Sequence, residues 1–209
     1  MAIITMPNDL ACGRGCRVEL ITVDATGTSD PAGNSQAREY GMPKWALSLT
    51  AHEILTDAEA GAWKALLLGL RGGVNYLAAF DPSRPYPVGS LRGSPTLQSA
   101  VVYGATDLTL NCGAEQAGRT VRVGDWIQIG TGLGTSQTVM CMADATVDGG
   151  GLLALIFMNP LRRGFDAGTP AAWDRARTYY RKPPGRVGWT PYSFTFSQAI
   201  GVALVESWP

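Results

Sequence analysis

From Trp45 onward, apolar side chains alternate with polar ones for seven residues, which predicts a strand with one buried face and one wetter face. The apolar positions are Trp45, Leu47, Leu49 and Ala51, and the polar ones are Ser48, Thr50 and His52. A second strand is predicted from Asn75 to Phe80, and a proline-punctuated exit follows from Asp81 to Gly89. This part of the chain therefore indicates a scaffold.

A helix is predicted between these strands, from Thr56 to Arg71. Its start has the form of a capping box, Thr56-Asp-Ala-Glu59, and Arg71-Gly-Gly supplies a left-handed stop. Apolar residues at helical spacing predict a face that packs on a sheet, widened by Leu66 and by Leu68, a candidate for contact with a neighbouring subunit. The main stripe is Ala60, Trp63, Leu67 and Leu70.

The remaining pattern favours a discontinuous first domain with an inserted second domain. Proline- and glycine-rich passages at 82–95 and 183–191 bracket five short β runs, which indicate a small closed or partly closed barrel. These runs are Ser99–Tyr103, Leu108–Cys112, Thr120–Gly130, Gln137–Ala143 and Leu152–Met158. We predict a first domain of residues 1–84 with 187–209, and an insert of residues 85–186.

Outside the insert, Arg17–Asp24 reads as a strand and Gly27–Gly41 as a long exposed loop, because the latter is rich in turn formers without an apolar period. Tyr192–Ser197 alternates strictly, and Val202–Glu206 is its predicted partner. A lone hairpin is marginal in water, so both strands are expected to return to the first domain.

Composition narrows the function classes. The charges of seventeen basic and seventeen acidic residues cancel, which argues against binding to nucleic acid or to an anionic membrane through overall charge. Charged residues make up only 16% of the chain, and this low share suits a surface covered by partners. The start lacks a basic leader and a long apolar run, so synthesis in the cytoplasm is expected, with no membrane span.

The cysteines and the single histidine are weak candidates for chemistry. Cys12-Gly-Arg-Gly-Cys16 has no second pair to complete a zinc site, so we expect reduced, structural cysteines. Cys112 and Cys141 lie in apolar runs, where a thiol behaves as a small hydrophobe. Any triad would need His52, and no nucleophile motif accompanies it.

Two glycine-rich stretches are better explained as turns than as ligand loops. Gly130-Thr-Gly-Leu-Gly134 precedes a strand and not the helix that a dinucleotide loop requires, so a hairpin turn is predicted. The stretch from Asp144 to Gly151 lacks the ligand spacing and closing glutamate of a calcium loop. A hairpin turn is predicted there as well.

Charged clusters leave alternatives open. Glu53, Asp57 and Glu59 are conceivable acids for glycoside hydrolysis, although helix capping already accounts for Asp57 and Glu59. A basic cluster interleaved with tyrosines is the best nucleic acid candidate, but a solvated or subunit-facing edge is the preferred interpretation. That cluster comprises Arg175, Arg177, Tyr179, Tyr180, Arg181, Lys182 and Arg186.

The order of several motifs resembles that of distal tail proteins of long-tailed bacteriophages. The first-domain motifs are Trp45-Ala-Leu-Ser-Leu, Ala62-Trp-Lys-Ala65, Leu70-Arg-Gly72, Phe80-Asp-Pro82 and Pro87-Val-Gly89. The insert motifs are Val123-Gly-Asp-Trp-Ile-Gln-Ile-Gly130, Ala143-Asp-Ala-Thr-Val-Asp148 and Met158-Asn-Pro-Leu-Arg162. The resemblance covers most of the chain after Trp45.

This resemblance implies a mainly β virion protein with a β-sandwich-like ring-forming domain, one helix and a galectin- or OB-like inserted barrel. Such proteins form a ring of six subunits at the tail tip, joining the tail tube protein to tip or baseplate hub proteins, with the tape measure protein a further candidate partner. It implies no catalytic, cofactor-binding or metal-binding residue and no sequence-specific nucleic acid binding.

Two rival functions remain at this point. One is a carbohydrate-binding adhesin module, with Trp126, Trp173 and Tyr179 as the stacking platform for a sugar ring. The other is a hydrolase that uses Glu53 or His52. Both rank below the ring-forming protein.

Overall fold

The computed structural model describes residues 1–28, 35–52, 55–185 and 200–209. Fourteen strands and one α-helix lie in these ranges, so the described chain is mainly β, as predicted. Among these residues, no helix is both long enough and apolar enough to cross a membrane. The strands are β1 Ile3–Thr5, β2 Arg17–Thr28, β3 Ser35–Thr50, β4 Tyr76–Ala79, β5 Thr96–Leu97, β6 Asp107–Asn111, β7 Thr120–Val121, β8 Trp126–Ile129, β9 Gln137–Met140, β10 Ala145–Thr146, β11 Leu152–Ile156, β12 Ala171–Ala172, β13 Thr178–Arg181 and β14 Gly201–Glu206.

Six strands form the main sheet, in the order β1-β4-β13-β14-β3-β2. The β1 strand runs parallel to β4, and the other neighbours are antiparallel. The predicted face of β3 is confirmed, because Trp45, Leu47, Leu49 and Ala51 are all buried. Val202–Glu206 also lies in this sheet as predicted, within β14, whereas its expected partner, residues 192–197, falls outside the described residues.

The helix, α1, spans Asp57–Gly69, and a short 3-10 turn follows at Arg71–Gly73. The predicted capping box is present: the Glu59 amide donates to the Thr56 hydroxyl, and the Thr56 amide donates to the Glu59 carboxylate. The chain leaves the helix through Gly72, whose φ of 66° is the left-handed conformation that glycine adopts without strain. The buried face of α1 joins the sheet in one apolar core through Trp63, Leu66, Leu67 and Leu70.

The Gly27–Gly41 loop prediction is wrong for the residues that can be compared. Strand β2 continues to Thr28, and β3 already begins at Ser35. Backbone pairing of the two strands, such as Thr28 with Ser35 and Ala25 with Arg38, needs no apolar side chains, so turn-forming composition did not reveal it. Irregular register between Ile21 and Asp24 marks a bulge in β2.

A second apolar core lies between Leu91 and Trp173. It is surrounded by three small sheets, ordered β11-β6-β5, β12-β8-β9 and β10-β7, and none of these described sheets closes into a barrel. The predicted barrel is therefore not confirmed, because isolated bridges such as Cys141 to Phe157 join the sheets where a barrel needs continuous ladders. Likewise, Ser99–Tyr103 is not a strand: only Val101 bridges, to Phe165.

The end of the insert at residue 186 stays a prediction, but one segment of the predicted insert lies in the main sheet. Thr178–Arg181, as β13, pairs with β4 and β14 in the main sheet. The structure thus returns to the main sheet before the second proline cluster at 183–184. The short alternation of β13, with Thr178 and Tyr180 buried, is the local signal of a sheet strand.

Candidate functional site: a buried seam and an open sheet edge

The part of the chain that surrounds the second apolar core, residues 91–173, is called the second unit, and a buried ion pair joins it to the main sheet. The Arg162 guanidinium donates from Nη1 to Oε1 of Glu206 at 2.5 Å and from Nη2 to Oε2 at 2.9 Å. The two side chains are only 11% and 1% exposed. This two-pronged geometry is the strongest form of an arginine-carboxylate contact.

Neighbouring groups add contacts to this ion pair, and together they form the seam between the second unit and the main sheet. The Trp45 amide donates to Oε2 of Glu206 at 2.8 Å, and Arg162 also donates to the Pro43 carbonyl. The guanidinium lies 3.4 Å from the centroid of the Trp208 ring, a cation-π contact. On the other side, the Arg162 amide donates to Oε1 of Gln137 at 2.8 Å. Arg162 is therefore held from both units at once.

Burial opposes charge in this pair. Desolvation raises the pKa of the Glu206 carboxyl, while Arg162 and the Trp45 amide counteract part of that rise. Desolvation also lowers the pKa of Arg162, against the attraction of Glu206. A buried pair of this kind adds little net stability but is costly to break, since removing one partner leaves an uncompensated charge. Its effect is to fix geometry.

An aromatic contact reinforces the same seam. Trp45 of β3 and Trp126 of β8 meet edge to face, with ring centroids 4.7 Å apart and an interplanar angle of 75°. The Trp45 indole donates to the Thr138 carbonyl at 3.3 Å, and the Trp126 indole donates to Asp81 at 3.1 Å. Trp126 thus belongs to the core of the main sheet although it lies in the second unit.

Asp125 anchors the connection between the two units. Its side chain is fully buried and accepts hydrogen bonds from the amides of Val88, Gly89 and Arg122 and from the Arg84 guanidinium, at 2.8 to 3.1 Å. Gly89 is required here, because a Cβ would lie 2.2 Å from the Thr120 carbonyl oxygen. One carboxylate therefore fixes the exit passage after β4 against the β7–β8 turn.

The main sheet ends in an open edge. In the described chain no strand pairs with the outer side of β2, which spans twelve residues. Two apolar side chains on this strand are partly exposed, Ile21 at 40% and Val23 at 48%. Tyr40, on the adjoining strand, is 65% exposed and lies near the Arg38 guanidinium. A long open edge with apolar side chains is a template for pairing with another chain.

Other exposed apolar side chains lie elsewhere on the surface. Leu68, on the outer face of α1, is 61% exposed, so the prediction that it widens the face packed on the sheet is wrong, whereas Leu66 is buried as predicted; contact of Leu68 with a neighbouring subunit stays a prediction. In the second unit, Val102, Tyr103, Ile156 and Met158 are similarly exposed.

The cysteines are free thiols in the structure. Burial, with the neighbouring Cys16, raises the pKa of Cys12 to about 12, and burial raises the pKa of Cys141 to about 12. The Cys16 thiol donates to the Thr50 carbonyl at 3.3 Å, so it ties the N-terminal segment to β3. Across the described ranges, no group of three or more His, Cys, Asp or Glu side chains is placed to hold a metal ion.

The histidine and acid candidates lie at the start of α1. His52 is exposed, and its backbone amide donates to the Ala11 carbonyl. Glu59 is taken up by the capping box, Asp57 lies in the first turn, and Glu53 falls outside the described residues. Hydrogen bonds from Thr56 lower the pKa of Glu59, the opposite of what a general acid needs.

The first glycine-rich stretch is a turn as predicted, and in the second the turn is confined to residues 148–151, because Ala145–Thr146 form strand β10. The Gly130–Gly134 stretch connects the antiparallel strands β8 and β9. In the second stretch, the Asp148 carboxylate accepts from the amides of Gly150 and Leu152 and so closes the turn before β11. Asp144 pairs with Arg122 and accepts from the Val123 amide, and these contacts lower its pKa.

The arginines of the predicted basic cluster contact different parts of the structure. Arg175 lies over the Tyr86 ring, Arg177 contacts Asn8, and Arg181 donates to the Gly73 carbonyl. Tyr180 is buried, and Arg186 falls outside the described residues. The stacking aromatics that single-strand binding requires are therefore not presented together.

The proposed sugar platform is wrong, because Trp126 and Trp173 are buried, at 6% and 3% exposure. Only Tyr179 of that trio is partly accessible. Trp126 was misread because a tryptophan in a β run has the same composition signal whether it faces the core or a ligand.

Sequence reasoning missed Asp125, Arg162 and Glu206. A signal existed for Glu206, since it continues the buried alternation of Val202 and Leu204 and thus places a carboxylate on the apolar face of β14. For Asp125, the signal was its position between the Gly124 turn and the buried strand β8. Arg162 gave no comparable signal.

No protein-family model matches this chain, and no curated protein matches it significantly. Its function must therefore be argued from its own residues.

Proposed function

We propose that this chain is a structural virion protein that forms a homo-oligomeric ring, a hexamer, at the distal end of a phage tail. The ring would join the tail tube protein to tip or baseplate hub proteins, with the tape measure protein as a further partner. The observation that carries this proposal is the outer edge of β2, which no described strand pairs with and which carries the exposed side chains of Ile21 and Val23. The ordered motifs of the sequence point to the same class.

In this proposal the main sheet with α1 is the β-sandwich-like ring former, and the second unit, galectin- or OB-like, projects outward. An unpaired edge offers a row of amide and carbonyl groups to the next subunit, and the apolar side chains add burial. The buried seam supports this role, because the Arg162–Glu206 ion pair joins the second unit to the main sheet and would hold it at a fixed angle to the ring. Equal numbers of basic and acidic residues suit a channel through which a genome passes without electrostatic binding to its phosphates.

The proposal is non-enzymatic and assigns no catalytic, cofactor-binding or metal-binding residue. Assembly would take place in the host cytoplasm, and the mature location would be the tail tip. The adhesin alternative is not advanced, since two of its three platform residues are buried.

The test is a charge-insertion experiment on the edge strand. Ile21→Lys with Val23→Lys should abolish assembly, because two lysines on an edge strand oppose pairing with a second chain. The matched control is Val88→Lys with Val102→Lys, which adds the same charge at positions 70% and 73% exposed on other elements. Molar mass is measured by light scattering, alone and with the tail tube protein.

The proposal predicts a six-subunit mass for the wild type and the control, and a one-subunit mass for the edge variant. A wild-type chain that stays monomeric both alone and with the tube protein would overturn it. Equal assembly of the edge variant and the control would show that β2 is not the interface.

A further inference from the structure

A basic cleft of about 540 Å³ lies beside the ends of β13 and β14, next to the 3-10 turn that follows α1. Three cationic side chains line it: Lys44 of β3, Arg181 of β13 and Lys182 directly after it. Glu206 is the one carboxylate among its lining residues, and the Arg162 guanidinium already engages both of its oxygens. The cleft therefore carries an excess of positive charge.

Among the described residues none of the three cations forms a direct ion pair with a carboxylate, although Lys44 lies close enough to Glu206 to lower the pKa of that carboxyl. Arg181 donates Nε to the Gly73 carbonyl at 2.9 Å and lies over the Tyr76 ring. Lys182 donates to the Pro183 carbonyl at 3.2 Å, and the Lys44 ammonium lies 5.4 Å from the Trp208 centroid. Carbonyl and ring contacts orient these groups but do not neutralise them.

The sequence that follows the cleft supplies no acid either. Residues 186–199 contain Arg186 and neither Asp nor Glu. The segment directly after the cleft therefore adds no negative charge to it.

Much of the remaining lining is apolar. Val74, which is 48% exposed, lines the cleft together with Val205, Pro183 and Pro184, and Ser207 adds a polar side chain. A volume of this size is typical of a cleft for an extended ligand and exceeds the needs of one inorganic anion. Cations beside an apolar wall complement a ligand that carries both carboxylates and aliphatic groups.

We propose that this cleft binds an acidic segment of a partner polypeptide. Its carboxylates would contact Lys44, Arg181 and Lys182, and an aliphatic side chain would pack on Val74 and the two prolines. The cations come from separate positions on β3 and β13, which suits carboxylates spaced along a peptide better than one compact phosphate. Such binding requires only the folded chain, so it is independent of ring formation.

The test uses a fluorescein-labelled eight-residue peptide that alternates glutamate with leucine, titrated with the full chain and followed by fluorescence anisotropy. A matched peptide has glutamine in place of glutamate. The binding variant is Lys44→Gln with Lys182→Gln, and the control is Arg14→Gln with Arg119→Gln, which removes the same charge from two exposed positions outside the cleft. Circular dichroism verifies that each variant is folded.

The glutamate peptide should bind the wild type and the control equally, and the loss of two cationic contacts should weaken it about tenfold in the cleft variant. The glutamine peptide should bind the wild type at least about tenfold more weakly than the glutamate peptide does. This comparison needs no variant. Equal affinity for the two peptides, or an equal loss in the control, would overturn the proposal. Inorganic phosphate that binds as tightly as the glutamate peptide would also overturn it, in favour of a simple anion site.

Discussion

Removal of the Arg162–Glu206 pair, one partner at a time and then both, is the sharpest perturbation of the seam. The variants are Glu206→Leu, Arg162→Met and the double variant, all close to the volume of the side chains they replace. The two residues are 44 positions apart and belong to different units, so their coupling reports on the seam itself.

The expected magnitudes follow from the contacts. Each single change leaves one charge buried without its partner, at 11% or 1% side-chain exposure, and should cost about 3–5 kcal/mol of unfolding free energy. The double change removes both charges and leaves mainly the Trp45 amide and the Pro43 carbonyl unsatisfied, at about 1–3 kcal/mol for each of the two groups. The double variant should therefore lose less stability than the two single variants combined, by about 4 kcal/mol at the middle of these ranges.

The assay is urea unfolding followed by tryptophan fluorescence, because Trp45, Trp126 and Trp208 all lie at the seam. Circular dichroism gives the same transition through the strands. If the two single costs add within about 0.5 kcal/mol, the pair is not coupled and the reasoning is refuted. A double variant less stable than both singles would contradict it equally.

Four further changes test other parts of the structure. In Arg162→Met the pKa of Glu206 in the folded state should rise further above its unfolded value. The stability lost relative to the wild type should therefore be small while Glu206 is protonated in both folded proteins, and it should grow as pH rises from the folded pKa of the wild type towards that of the variant. Urea unfolding at several pH values measures this difference. Asp125→Asn keeps one acceptor oxygen for four donors and should cost about 3 kcal/mol in the same assay, whereas an unchanged midpoint would contradict the anchor. Thr56→Ala should cost about 1 kcal/mol through loss of the helix cap, and no loss of thermal stability would argue against it. The Cys141 thiol, whose pKa burial raises to about 12, should react with a thiol reagent at pH 8 only after unfolding, with the labelled cysteine identified by peptide mass spectrometry; rapid labelling of Cys141 in the native chain would refute its burial.

Local patterns allowed the elements with strong periodicity to be predicted. The buried alternation of β3, the capping box at Thr56 and the left-handed stop at Gly72 depend on neighbours within a few residues, and all three are present. Such elements can be predicted from the sequence because local backbone geometry fixes the spacing of buried side chains and the residue types that cap a helix.

Contacts between segments that are distant in the sequence could not be predicted from local patterns. The β2–β3 hairpin extends through polar residues because backbone groups pair irrespective of side-chain type, and β1 joins the sheet as three residues parallel to β4. Arg162 and Glu206 meet only after the second unit has folded onto the main sheet. For the same reason Trp126 was assigned to a ligand platform, although it faces Trp45 in the core.

Imaging of the purified protein by negative-stain electron microscopy, alone and mixed with the tail tube protein, tests the central claim most directly. The ring-forming role predicts closed annuli with six-fold symmetry in class averages, with the second unit projecting from the rim. Uniform monomers in both samples at high protein concentration would contradict it.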